Sequence, residues 1–145
     1  MRLLGNILWF VLAGLWLAIG YVVTGIVLCI FIITIPFGVQ AFKLAGFVLW
    51  PFGKAIVAGD GADGPLRILA NLLWLVFGGL GLVISHLVLG VVLCITIIGI
   101  PFGLANFRMA VLALWPFGRR VVPVEVAAAM AVRPVMVVQP LGPPR

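Results

Sequence analysis

Few residues in this chain could do chemistry. It holds one histidine, His86, two cysteines, Cys29 and Cys94, and three acids, Asp60, Asp63 and Glu125. Hydrolysis, group transfer and redox chemistry all need converging acids, bases, nucleophiles or metal ligands. A lone histidine makes no metal site. Cys29 and Cys94 lie inside long apolar runs, where cysteine behaves as a small apolar residue. Gly59-Asp60-Gly61-Ala62-Asp63-Gly64-Pro65 lacks the alternating carboxylates and late glutamate of a calcium loop. No enzyme, metal site or cofactor is expected. What remains is polar rather than reactive: Asn6, Asn71, Gln40, Asn106, Lys43 and Arg108, all next to or within apolar sequence. An amide in lipid seeks an interhelical partner. Asn6 and Asn71 can therefore be glue or caps, or they can join the other four as a polar ring at a pore mouth.

The elements that position these residues come in duplicate. Shifted by 65, residues 2–57 align with 67–122 without a gap, and 30 of the 56 positions are identical. Asn6 pairs with Asn71, Trp9 with Trp74, Cys29 with Cys94, Pro36 with Pro101 and Trp50 with Trp115. Such a period marks duplication of one structural unit. It also explains why the first 23 residues, which have the look of a signal peptide, recur in mid-chain, where they must be structure.

The chain is 66% hydrophobic and 8% charged, with mean hydropathy +1.41. That excludes a soluble globular domain or a disordered one. Forty uncharged residues separate Arg2 from Lys43, and forty separate Arg67 from Arg108. As helix, each stretch is roughly 60 Å long, twice a hydrocarbon core of about 30 Å. A helical hairpin satisfies the length and the backbone hydrogen bonding together. The β-branched runs 26–35 and 91–100 would suit a buried strand in water, but in lipid they read as helix. The most polar points, Gly20 to Gly25 and Ser85 to Gly90, place the turns there. The arms are then about 3–20 and 23–42, and about 68–84 and 88–107. Pro36 and Pro101 should end or kink the second arms. Beyond them, the segments 37–50 and 102–115 read as interfacial or re-entrant helices anchored by Trp50 and Trp115. A third span would carry Lys43 or Arg108 near mid-bilayer, at a cost of roughly 2.5–3.5 kcal/mol.

The fold class that follows is an all-α integral membrane protein. It has two tandem hairpins, each with an interfacial helix, and four main spans. The first repeat is 1–57, a linker 58–66, the second repeat 67–122, and an irregular, proline-bearing tail 123–145. Nine basic residues against three acids give +6. Without a basic stripe interleaved with exposed aromatics, nucleic acid is not the expected partner. The basic residues flanking the spans fall on one side, which predicts cytoplasmic termini beside anionic lipid headgroups. The two copies become parallel repeats about an axis along the membrane normal.

The runs Leu4-Gly5-Asn6-Ile7-Leu8-Trp9, Ile35-Pro36-Phe37-Gly38 and Trp50-Pro51-Phe52-Gly53, each with its mate, resemble the YccF family. The resemblance implies a small bacterial inner-membrane protein with a duplicated domain, and it brings no catalytic residues. Two function classes follow from the residues. A channel or transporter for a small solute or ion would have to homo-oligomerise, since four helices are few for a pathway. The other class is a structural or accessory protein that binds lipids or a membrane-protein partner. The sequence places the first slightly ahead.

Overall fold

A computed structural model describes residues 2–59 and 64–138. Asp60 and Asp63 of the linker, and tail residues 139–145, lie outside the described residues. The chain is an all-α membrane protein built from a duplicated helical hairpin, with a small sheet added. In order, α1 is Arg2–Ile30, α2 Ile35–Leu49, β1 Lys54–Ala58, α3 Pro65–Ile95, α4 Ile100–Leu114, β2 Arg119–Pro123, α5 Val124–Ala129 and β3 Met136–Val137. Each long helix contains one π turn, Phe10–Gly14 in α1 and Leu75–Gly79 in α3. Segments Arg2–Ile30, Ile32–Leu49 and Pro65–Ile95 are long and apolar enough to cross a membrane, and Ile100–Leu114 is shorter.

The turns differ from the sequence reading. They lie at 31–34 and 96–99, not at 20–25 and 85–90. Gly25 and Gly90 stay helical because packing needs them. A Cβ on Gly25 would stand 2.8 Å from the Phe42 ring, and one on Gly90 2.6 Å from that of Phe107. Pro36 and Pro101 do not end the preceding helices. They open α2 and α4, where a missing N–H removes a donor that would have no helical partner anyway. The expected interfacial helices are thus the second arms themselves, packed along the first. The arms touch through Gly38 and Gly103. A Cβ there would come within 2.4 Å of Cys29 Sγ or 2.3 Å of Cys94 Sγ. The cysteines therefore pack against glycines, and both thiols are free.

The repeats obey a pseudo-twofold axis that contacts between mates locate. Tyr21 touches His86, its mate. In the antiparallel β1–β2 pair, Ile56 opposes Val121, also its mate. The axis passes through both contacts. Phe37 meets Phe117 at 5.5 Å between ring centroids, and the mate pair Phe102 and Phe52 meets at 6.1 Å. The first arms pass each other in opposite senses. Thr24 and Leu28, beyond Tyr21, reach Gly78, which precedes His86. Were the arms parallel and level, Thr24 would lie beside Leu89, eleven residues or about 16 Å from Gly78.

The sheet covers this crossing. Its order is β2-β1-β3, all antiparallel. Ile56 enters the same core as Tyr21, Phe47 and Trp74, while Ala55 and Val57 face Ala127 of α5. Residues 54–58, read partly as linker, are therefore strand. The tail is not wholly irregular, because α5 and β3 close over β1, with Val138 fully buried. Alternating Ala-Ile-Val suits two buried faces.

Substituting Gly38 by Ala should destabilise the protein by about 1–3 kcal/mol through overpacking. Gly46→Ala should be close to neutral, because nothing lies within 4 Å of a Cβ there. Thermal unfolding in detergent checks both, and equal midpoints would contradict the close crossing.

Candidate functional site

The most polar place inside the helices is the pseudo-twofold axis itself. Tyr21 is 1% exposed, and His86 and Asn106 are fully buried. Tyr21 Oη lies 3.1 Å from His86 Nε2, and His86 Nδ1 lies 3.0 Å from Asn106 Oδ1. The chain of donors has one consistent direction. The Phe102 carbonyl can only accept, so Asn106 Nδ2 donates to it at 3.3 Å. Asn106 Oδ1 then accepts from His86 Nδ1–H, which leaves Nε2 to accept from the Tyr21 hydroxyl. Neutral imidazole fits this arrangement with every polar atom engaged. The histidine sits in mid-helix, not at the turn that the sequence suggested, and polar groups do occur deep in the hairpins. One signal was present in the sequence. Tyr21 and His86 are mates, both polar, in otherwise apolar helices.

Asn6 and Asn71 serve a different end. Asn6 Nδ2 donates to the Phe52 carbonyl, and Phe52 N–H donates back to Asn6 Oδ1, both at 3.0 Å. Asn71 makes the same pair with Phe117 at 3.0 and 2.9 Å. One helical turn on, Trp9 Nε1 donates to the Val48 carbonyl at 2.7 Å and Trp74 Nε1 to that of Ala113 at 2.8 Å. These carbonyls belong to the last turns of α2 and α4, which lack helical donors. Each Asn-x-x-Trp unit therefore clamps the end of its second arm and the Trp-Pro-Phe-Gly turn. The π turn makes room for the indole. A Cβ on Gly14 would lie 2.6 Å from Trp9 Cδ1, and one on Gly79 2.4 Å from Trp74 Nε1.

The candidate pore-mouth residues do not converge. Asn6 and Asn71 are buried in their clamps, and Asn106 is in the polar triad. Gln40 Nε2 donates to the Pro116 carbonyl of the other copy at 3.4 Å. Lys43 and Arg108 are exposed on α2 and α4. Trp50 is exposed and Trp115 half-buried, each directly after its second arm. Among the described residues, no cluster of His, Cys, Asp or Glu could hold a metal.

The YccF domain profile, described as "Inner membrane component domain", matches residues 4–54 and again 69–119. The chain belongs to the YccF family. It is an inner-membrane protein. Two relatives, each called "Inner membrane protein YccF", come from Escherichia coli strain K12 and Shigella flexneri. Each is 39% identical over 137 residues, covering 89% of this chain and 93% of the relative. No solved structure matches the chain. The two matched segments coincide with the two clamped hairpins and stop at the first residue of each strand.

Charge pairing docks the tail. Arg2 forms an ion pair with Glu125 of α5, and this hydrogen bond holds the Glu125 carboxyl below its ordinary range. Burial lowers Lys54, whose ammonium sits 5.9 Å from the Phe47 ring centroid. Because the folded value of Glu125 lies below the unfolded one, its contribution is complete above the ordinary carboxylate range. It is lost as pH falls through the depressed value. Limited proteolysis of the tail should therefore accelerate on acidification and at high salt. Glu125→Gln should remove that pH dependence. An unchanged profile in the variant would contradict the pairing.

The triad yields a second expectation. His86→Ala should cost about 1–3 kcal/mol, because it strands the Tyr21 hydroxyl and the Asn106 amide. The triple change Tyr21→Phe, His86→Leu, Asn106→Ala should recover much of that loss. Thermal unfolding of both proteins in detergent decides. A triple variant no more stable than His86→Ala would contradict the pairing scheme.

Proposed function

We propose that this chain is an accessory inner-membrane protein that binds lipid and partner helices, and that it is neither an enzyme nor a conduction path. The reading rests on one observation. The buried amides, indoles, hydroxyl and imidazole of the helical core are engaged by protein partners, so they present no free polar lining to a solute. Its outer surface is apolar along both first arms, from Leu3 to Ile33 and from Leu66 to Ile98. Lys54, Arg119 and Arg120 of the sheet side suit anionic headgroups, with both termini cytoplasmic.

A homo-oligomeric channel or transporter is the competing reading. It draws on Lys43 and Arg108, whose exposed charges in apolar helices want water or a partner. Reconstituted protein should show no conductance above protein-free bilayers under a salt gradient. A conductance whose reversal potential moves toward cation selectivity in Lys43→Glu/Arg108→Glu would establish the channel and overturn the accessory reading.

A further inference from the structure

We infer that the hairpins lie within one leaflet of the bilayer, in its plane, and that their tips do not emerge on the far side. The inference concerns how the chain meets lipid, and it stands apart from the accessory reading.

The symmetry carries the geometry. A twofold rotation preserves height along its axis, so mates share one height. Phe37 begins the second arm of the first copy and touches Phe117, the mate of Phe52. Phe52 follows the end of that same arm. Phe37 and Phe52 therefore differ in height by no more than about 6 Å, the ring separation. Yet α2 has 15 residues and is roughly 22 Å long. It must lie nearly perpendicular to the axis. The first arm gives the same answer independently. Leu28 reaches Gly78, the mate of Ala13, so positions 13 and 28 share a height although about 22 Å of helix separates them.

The sheet then orients the axis. It sits on the same axis as Tyr21 and His86, with Ile56 in one core with Tyr21, and β2 carries Arg119 and Arg120. If the helices crossed the membrane upright, the axis would lie in the membrane plane. These arginines would then stand at mid-bilayer, where charged side chains are rare and costly. With the axis along the normal, the sheet faces water. A helix about 10 Å thick that lies flat then fits a leaflet of about 15 Å.

Two features that a spanning arrangement leaves awkward are then accounted for. The tips carry no charge, and Ile32, Ile33 and Ile97 are 85%, 87% and 86% exposed, as suits hydrocarbon. Their backbone needs little from water. Thr34 Oγ1 donates to the carbonyls of Leu28 and Phe31, Thr96 Oγ1 to that of Leu93, and Gly99 N–H to Thr96 Oγ1. Lys43 and Arg108 also need not cross hydrocarbon, since a flat arm lets them snorkel to the nearby headgroups.

Leu12, Ile19 and Ile26 of the first arm and Ile33 of the tip are exposed at seven-residue spacing. Single cysteines at these positions, in a Cys29→Ala/Cys94→Ala background, can carry a bimane probe. The full-length protein goes into phosphatidylethanolamine/phosphatidylglycerol vesicles that contain nitroxide lipids of known depth. The four depths should agree within about 6 Å and lie in one leaflet. A membrane-impermeant maleimide should label Ile33→Cys from neither side. Depths that progress through the bilayer from 12 to 26, a separation of about 21 Å along the helix, and on to 33 would overturn the inference. So would labelling of the tip from the side opposite the sheet, or an absence of quenching at every position.

Discussion

A helix that ends in an apolar medium leaves its last carbonyls without donors, and lipid offers none. That constraint shapes each copy of this protein. The second arm must stop where the chain turns back to the sheet, and it stops under an asparagine and an indole from the first arm. Asn6 takes both main-chain hydrogen-bonding groups of Phe52, and Trp9 takes the Val48 carbonyl. The π turn and Gly14 follow from this arrangement, since the indole needs the space that a side chain at 14 would fill. Asn71, Trp74 and Gly79 repeat it. Clamping also fixes where the strand begins, and hence the register in which the two copies meet.

The meeting of the copies imposes the second condition. Two mates on a twofold axis must tolerate each other. An identical pair of apolar residues would do so, but here the copies have diverged into Tyr21 and His86, with Asn106 opposite Ala41 in repeat register. The hydrogen-bonded chain runs one way only, from Tyr21 through His86 and Asn106 to the Phe102 carbonyl. One polar direction is thereby built into a frame that is otherwise symmetric.

Much of this is legible in the sequence. The duplication, the helical hairpins and the apolar surface follow from the period of 65 and from the uncharged forty-residue stretches. The turn positions were not legible. Glycine and polar residues at 20–25 and 85–90 look like breaks, but glycine in a helix can equally be a seat for a neighbouring ring, and Phe42 lies seventeen residues away in sequence. Proline is ambiguous for a related reason, since it closes one helix or opens the next with the same residue. The role of Asn6 was half visible. An amide near a helix start suggested a cap or glue, yet its partner, the Phe52 peptide, is 46 residues distant. The strands escaped notice because Lys-Ala-Ile-Val-Ala is short, and its alternation becomes meaningful only when a second copy and the tail supply edges.

The central pairing of Ile56 with Val121 has an implication for how such a chain can arise. A strand that crosses its own symmetry axis can pair with an identical strand from another molecule, with position 56 opposite position 56. A protein holding one hairpin and one strand would therefore possess, without further change, the surface needed to join a twin. Fusing two such genes head to tail would convert an encounter between molecules into one within a chain, at the effective concentration set by the short link between 59 and 64. Once joined, the halves would be free to differ. Substitutions such as His86 and Asn106, which an identical pair would have to carry twice, could then be carried once.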